Sequence, residues 1–253
     1  MIYFVGAGPG DPDLITLKGR RLLEEADVII YAGSLVSEEH LAYAKKDCLF
    51  YNSATMNLDE VLDVMMKEDA PDKTIVRLHT GDPSIYGAIR EQMDPLERAG
   101  HAFEVVPGVS SFVAAAAAIK KEFTLPDVSQ TVILTRIAGR TPVPEKENLV
   151  ELAKHKASMA LFLSVGSIQR VVDVLVEGYG RDDVPVAVVY RATWADENVV
   201  MGTLADIADK VRDENIVKQA QILVGDFLGD EYALSKLYDK HFTTEYRKGI
   251  PKC

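Results

Sequence analysis

The sequence predicts an α/β protein of two lobes, the first built on a mostly parallel sheet and the second on a mixed one. Three observations carry this. Through the first half, short apolar runs alternate with amphipathic segments, the pattern of strand–helix units around a parallel sheet. At Thr124-Leu125-Pro126-Asp127 the pattern breaks in a linker-like stretch. Beyond it strands are denser, with direct strand-to-strand steps that point to antiparallel pairing within a mixed sheet. The lobes are expected at residues 1–122 and 128–253.

The elements follow in order. Residues 2–5 read as a strand and 15–26 as a helix whose buried side is offered by Leu14, Leu17, Leu22 and Leu23. A short strand at 28–31 precedes helical segments at 40–46 and 58–67, the latter through Leu58, Val61, Leu62 and Met65. Residues 74–78 form a strand, and a helix is expected from Pro83 to about Asp94, stopped or kinked by Pro95. A strand at 103–106 leads into an Ala-rich helix at 111–121. The second half offers strands at 131–135, 159–163, 186–190, 199–202 and 221–224, with helices at 168–177 and 204–212. The tail from Lys236 is polar and basic-aromatic.

Bulk composition bounds the function. A chain of 253 residues with 47% apolar and 26% charged residues is an ordinary globular protein with ample core. No apolar run approaches the roughly 20 residues that span a bilayer, and the first residues lack the basic and small-residue marks of a signal peptide. Two cysteines, Cys48 and Cys253, make no disulfide framework, so a reducing cytoplasm is expected. A formal net charge of −11 argues against nucleic acid, whose phosphates are held by clustered Lys and Arg. The five histidines show no metal-ligand spacing and Cys48 has no paired ligand, so no metal is expected.

Two Gly-Asp-Pro turns, each after an apolar strand, carry the chemistry: Gly6-Ala7-Gly8-Pro9-Gly10-Asp11-Pro12 and Thr80-Gly81-Asp82-Pro83-Ser84-Ile85-Tyr86-Gly87. Asp as N-cap and Pro at the first helical position leave bare backbone amides at the mouth of a sheet, where open α/β sheets bind small ligands. A dinucleotide fingerprint fails, because the sixth position is Asp11, Pro9 removes a donor, and the strand ending Ile30-Tyr31-Ala32 has no ribose-binding carboxylate. No Gly-Lys-Ser/Thr loop or G-x-S-x-G elbow is present. Asp11 and Asp82 would repel phosphate, so these loops suit a polar ligand that is not a polyanion. The plainer reading of each Asp-Pro is a helix cap worth about 1 kcal/mol.

The first loop, followed by Leu14-Ile15-Thr16, resembles the opening signature of the tetrapyrrole methylase family; Thr80-Gly81-Asp82-Pro83 and Pro107-Gly108-Val109-Ser110-Ser111 resemble its second and third. Further stretches are similar to the members that methylate carbon 11 of precorrin-4 or its cobalt complex in cobalamin synthesis. These are Tyr31-Ala32-Gly33-Ser34-Leu35-Val36, residues 81–92, 131–136 with Gly139-Arg140-Thr141-Pro142, 189–194, and the tail segments Lys236-Leu237-Tyr238-Asp239, Phe242 and Tyr246-Arg247-Lys248-Gly249. The resemblance spans essentially the whole chain. It implies two α/β domains with the active site in a cleft between them, S-adenosyl-methionine as methyl donor, a tetrapyrrole substrate and a homodimer. A sulfonium cofactor without phosphate agrees with the acidic loops.

Carried over residue by residue, the resemblance implies a cofactor site of Pro9, Thr80, Gly81, Asp82, Ile85, Ser110, Ser111, Leu163, Ala192 and Ala220. Read without it, Leu163, Ala192 and Ala220 are core residues. Methyl transfer is an in-line displacement that needs positioning and exclusion of water. No general base is assigned; Asp82 is the nearest carboxylate, beside its capping role. The substrate's carboxylates need local cations on an acidic protein, and Arg77, Arg90, Arg136, Arg140 and Arg191 are the candidates, with Ser34 beside them; each is also readable as a surface residue. Competing readings are another methyltransferase of the same fold, acting on a different precorrin carbon, on uroporphyrinogen III, on ribosomal RNA or on a protein histidine derivative, and a non-catalytic module that binds the cofactor.

Overall fold

The computed structural model describes residues 1–33 and 35–251. They form two compact units, one of Met1–Ala114 with Arg191–Glu197, the other of Ala115–Tyr190 with the chain from Asn198 on. The division falls inside the Ala-rich helix, α4 (Ser111–Ala118), not at 122–128 as the sequence suggested. That stretch is packed into the second unit: Phe123 stacks on Phe227 at 4.9 Å between ring centroids, and Ser158 Oγ donates to the Phe123 carbonyl at 2.6 Å.

The first unit has five strands: β1 (Ile2–Gly6), β2 (Val28–Tyr31), β3 (Leu49–Asn52), β4 (Ile75–His79) and β5 (Phe103–Val106). All pair in parallel, in the order β3-β2-β4-β1-β5. Period-two alternation gives the inner strands β1, β2 and β4 two buried faces, as a sheet covered on both sides requires. Val5, Ile29, Val76 and Leu78 pack with Leu22 and Leu23 of α1 (Leu17–Glu25); Ile2, Phe4, Val28, Ile30 and Ile75 pack with Val61, Leu62 and Met65 of α2 (Leu58–Glu68) and Leu96 of α3 (Arg90–Arg98). Thr16 caps α1 by accepting from Gly19 N–H, and Asn57 with Glu60 forms a capping box at α2.

This strand order places the functional loops. From β1 the chain crosses towards β2, and from β4 it crosses the other way to β5, while β1 and β4 are neighbours with Gly6 opposite His79. Their carboxyl ends therefore form the switch point at which doubly wound sheets open a crevice.

Three expectations change here. Residues 83–89 are not helical; a turn over 83–86 precedes α3, and Tyr86 (φ 55°) and Ala88 (φ 49°) take left-handed backbone that a helix forbids. Pro95 lies inside α3. The segment at 40–46 is a 3₁₀ helix, Glu38–Tyr43, capped by Ser37. The strand Leu49–Asn52, not assigned from the sequence, lies at the sheet edge and is mostly exposed although it reads Leu-Phe-Tyr-Asn.

The second unit carries β6 (Val132–Thr135), β7 (Ser158–Leu161), β8 (Pro185–Tyr190), β9 (Asn198–Thr203) and β10 (Ala220–Val224) in the order β6-β7-β10-β8-β9. Only β6 and β7 pair in parallel, so the sheet is mixed, and β8–β9 is the antiparallel step read from the sequence. Its core joins Met159, Leu161, Val186, Val188 and Ile222 to Val171 and Leu175 of α6 (Ile168–Tyr179), Ile207 and Val211 of α7 (Ile207–Asp213), and Leu149 and Ala153 of α5 (Leu149–Ala153). Cys48 is buried; Cys253 lies outside the described residues. No helix among the described residues is long and apolar enough to cross a membrane.

Candidate active site

Three glycines meet where β1, β4 and β5 end. A Cβ on Gly6 would lie 2.6 Å from the Gly81 carbonyl oxygen and 2.7 Å from Gly108 Cα, and one on Gly108 would lie 2.2 Å from the same oxygen. Only residues without a side chain allow backbones this close. The two Gly-Asp-Pro loops are also tied directly: Gly8 N–H donates to Gly81 O at 3.2 Å, and Gly81 N–H to Gly8 O at 2.8 Å. Gly81 has φ +61°, left-handed backbone that favours glycine.

The two aspartates of the repeated motif do different work. Asp11 caps a 3₁₀ turn, Pro12–Leu14, by accepting from Asp13 N–H at 2.9 Å, as its sequence predicts. Asp82 caps no helix. Its Oδ1 accepts from Ser84 N–H at 2.8 Å and from Ser84 Oγ, while Oδ2 accepts from Gly108 N–H at 2.9 Å. Burial pushes the Asp82 carboxyl up, but the Ser84 hydroxyl and the Gly108 and Ser84 amides outweigh it and hold the group below its ordinary range. An ionised carboxylate with both oxygens engaged is an anchor for the loop, not a base.

Beside it opens a pocket of about 410 Å³ lined by Asp82, Ser84, Ile85, Gly108, Val109, Ser110, Phe112 and Val113. Ser110 is buried, and Thr80, just before Gly81, is exposed. The size falls within the usual range for a small-molecule site. Of the cofactor residues expected in the first unit, Asp82, Ile85 and Ser110 line this pocket. Gly81 faces the same turn, since a Cβ placed on it would lie 3.5 Å from Ser110 Cα and 3.7 Å from Ser111 N. Pro9 is buried within the first loop, and Ala192 is buried within Arg191–Glu197, a segment of the same unit.

In the second unit, Leu163 follows β7 with φ 54° and 78% exposure. It is therefore neither strand nor core, contrary to its reading without the resemblance. Ala220 opens β10 opposite Tyr190 of β8.

The arginines separate sharply. Arg77 is 8% exposed on the inner face of β4, with Nε donating to Gln92 Oε1 at 3.2 Å and Nη1 to Ile30 O at 3.3 Å. Burial lowers it to about 10, which leaves it charged but inside the fold, so it does not serve as a surface cation for a substrate. Arg191 stacks on Trp194, 4.0 Å from the ring centroid, and pairs with Asp196 at 2.9 Å. Arg90 is exposed and paired with Asp94 on its own helix. Arg136 folds back on its loop, donating to Thr141 O at 3.2 Å and Pro142 O at 2.7 Å. Arg140, carried by that loop, is exposed and has no ion pair among the described residues. Ser34 lies outside the described residues.

The model of the Tetrapyrrole (Corrin/Porphyrin) Methylases matches residues 1–208. The chain belongs to the tetrapyrrole methylase family. It is 60% identical over 252 residues to the cobalt-precorrin-4 C(11)-methyltransferase of Methanocaldococcus jannaschii, covering 99% of this chain and 97% of that one. The X-ray structure of a cobalamin biosynthetic enzyme, cobalt precorrin-4 methyltransferase, matches with a TM-score of 0.88 and 51% identity over 90% of this chain and 96% of that one. The uroporphyrin-III C-methyltransferase of Thermus thermophilus, solved in complex with S-adenosyl-homocysteine, matches with a TM-score of 0.73 and 26% identity over 90% and 92% of the two chains.

In this tetrapyrrole methylase, two features of the site escape a reading of motifs one at a time. Ser84 supplies two of the hydrogen bonds that fix Asp82, a role signalled only by its place two residues after Asp in a turn. His79, at the end of β4, is 6% exposed and its Nε2 has no hydrogen-bond partner. Burial, assisted by the Arg77 charge, pushes it down to about 3, so the imidazole is neutral. Strict alternation from Ile75 through Arg77 to His79 was the available signal that both polar residues face inwards.

Proposed function

We propose that this protein is an S-adenosyl-methionine-dependent methyltransferase that methylates carbon 11 of precorrin-4, acting on the cobalt complex. For the substrate, support comes from 60% identity over nearly the full length to a relative named for that reaction. For the donor site, the carrying observation is the Gly6–Gly81–Gly108 junction beside the pocket of about 410 Å³.

The residues fit such a donor. Gly8 and Gly81 bring bare backbone to the mouth of the sheet, and Ser110 offers a buried hydroxyl among Ile85, Val109 and Phe112. Asp82 places negative charge at the pocket, which disfavours phosphate and favours a cation. The chemistry that S-adenosyl-methionine supplies when bound is a methyl group on a sulfonium centre. The chain's own task is to orient and desolvate: Gly81, Asp82, Ile85, Ser110 and Ser111 would hold the donor, with Pro9, Thr80 and Ala192 beside them, and the apolar side chains of the pocket exclude water. Leu163 and Ala220 carry the same proposed role from the second unit, as the family resemblance implies. Arg140 is the cation proposed for a substrate carboxylate.

A homodimer and a cytoplasmic place of action complete the reading. The exposed apolar side chains Leu234, Leu237, Tyr238 and Tyr246 support the homodimer. Light scattering tests the dimer. Incubation with methyl-labelled S-adenosyl-methionine and cobalt-precorrin-4 tests the activity: label on the macrocycle is expected, and an unlabelled macrocycle overturns the reading.

A further inference from the structure

The loop between β8 and β9, Arg191–Glu197, is longer than a hairpin needs and belongs to the first unit. Within it Arg191 (φ 44°) and Thr193 (φ 73°) both hold left-handed backbone without being glycine. Such conformations cost about 1–3 kcal/mol each and persist where the surroundings impose them. What imposes them here is the first glycine loop, met at three consecutive residues. Trp194 Nε1 donates to Pro9 O at 2.9 Å, the indole covers Gly10, and Asp11 N–H donates to Thr193 Oγ1 at 3.0 Å. A Cβ on Gly10 would sit 2.2 Å from Trp194 Cδ1 and 2.3 Å from Nε1, so the ring occupies the volume that any other residue would need. Arg191 stacks on the ring with its Nε 2.9 Å from Asp196 Oδ1, and Thr193 N–H donates to Glu197 Oε2 at 2.6 Å.

We propose that Trp194 is a positioning residue of the donor site: it clamps the Pro9–Gly10 backbone and thereby sets both Gly8, which is hydrogen-bonded to Gly81, and Ala192, two residues before it. The inference rests on the donor reading above. It adds a determinant that is not itself among the residues lining the pocket and acts through the loop. The chain has one tryptophan, so the residue reports on itself.

The test measures S-adenosyl-homocysteine binding by calorimetry and Trp194 emission for the wild type, and binding with steady-state kinetics for Trp194→Phe, Trp194→Ala, Gly10→Ala and the Gly10→Ala/Trp194→Ala pair. Far-UV circular dichroism checks each fold. Expected are a ligand-dependent change in wild-type emission, about tenfold weaker donor binding in Trp194→Ala, and a similar loss in Gly10→Ala. The double variant should lose no more than either single one, because all three break the same clamp. Trp194→Phe, which keeps a ring but loses the bond to Pro9, should lose about threefold. The tetrapyrrole KM should move less than twofold. Wild-type binding with unchanged affinity in Trp194→Ala overturns the inference, as do additive losses in the double variant. If Trp194→Ala does not fold, wild-type-like affinity and silent wild-type emission in the Trp194→Phe comparison overturn it equally. A wild type that binds no S-adenosyl-homocysteine instead removes the donor reading itself.

Discussion

Asp82 and Gly108 are joined by a 2.9 Å hydrogen bond from the Gly108 amide to the Asp82 carboxylate, which ties the loop after β4 to the turn after β5. With the glycine contacts beneath it, this bond turns three separate sequence signatures into one rigid junction. Asp82→Ala leaves the Gly108 amide and Ser84 without their acceptor, and should cost about 1–3 kcal/mol in urea unfolding. Because the folded carboxyl is held below its ordinary range, its contribution is present above the unfolded carboxyl pKa. It is lost as pH falls through the folded value. The wild type should therefore lose its advantage over Asp82→Ala in acid.

Glycine substitutions should divide by what surrounds them. Gly108→Ala and Gly6→Ala drive a Cβ into backbone atoms, and each should cost at least about 2 kcal/mol, since backbone cannot rotate away. Gly139→Ala meets nothing within 4 Å and should stay within about 0.5 kcal/mol of wild type. Gly81→Arg should abolish S-adenosyl-homocysteine binding in calorimetry. Retained affinity would take this loop out of the donor site.

His79 gives a pH signature. Its folded value is about 3 against an ordinary 6.5, so the unfolded chain binds a proton between these values and the folded protein does not. Stability is then full above about pH 6.5 and falls as pH drops towards 3. Between pH 7.5 and 4.5 the wild type should lose about 2.5 kcal/mol more than His79→Leu in paired urea titrations. Parallel losses in the two proteins would contradict a buried neutral imidazole.

Arg77 and Arg140 should fail in opposite ways. Arg77→Ala strips the partner from Gln92 and the Ile30 carbonyl in the core and should lower stability by about 2–3 kcal/mol. Arg140→Ala should leave stability and donor affinity unchanged and raise the tetrapyrrole KM. An unchanged KM removes Arg140 from the substrate site.

Much of the first unit was legible because its signals are local. Apolar runs of four or five residues separated by capped helices dictate a parallel sheet, and Gly, Asp and Pro impose backbone demands that can be read in place. The expected helix from Pro83 failed for a tertiary reason. The turn closes so tightly that a Cβ on Gly87 would lie 2.1 Å from the Pro83 carbonyl, and the left-handed Tyr86 and Ala88 follow from that closure. Residues 122–128 look like a linker by composition, yet Phe123 is packed against Phe227, far along the chain. The Trp194 clamp joins residues about 185 positions apart, which no local pattern encodes. Arg77 was misplaced among surface cations because charge was weighed ahead of the strand's alternation.

The central claim is tested most directly by carbon-13 NMR of the product formed from cobalt-precorrin-4 and carbon-13-methyl S-adenosyl-methionine. A single enriched methyl on ring carbon 11 is predicted. Enrichment at another carbon, or transfer to uroporphyrinogen III in preference to the precorrin-4 ring, would contradict it.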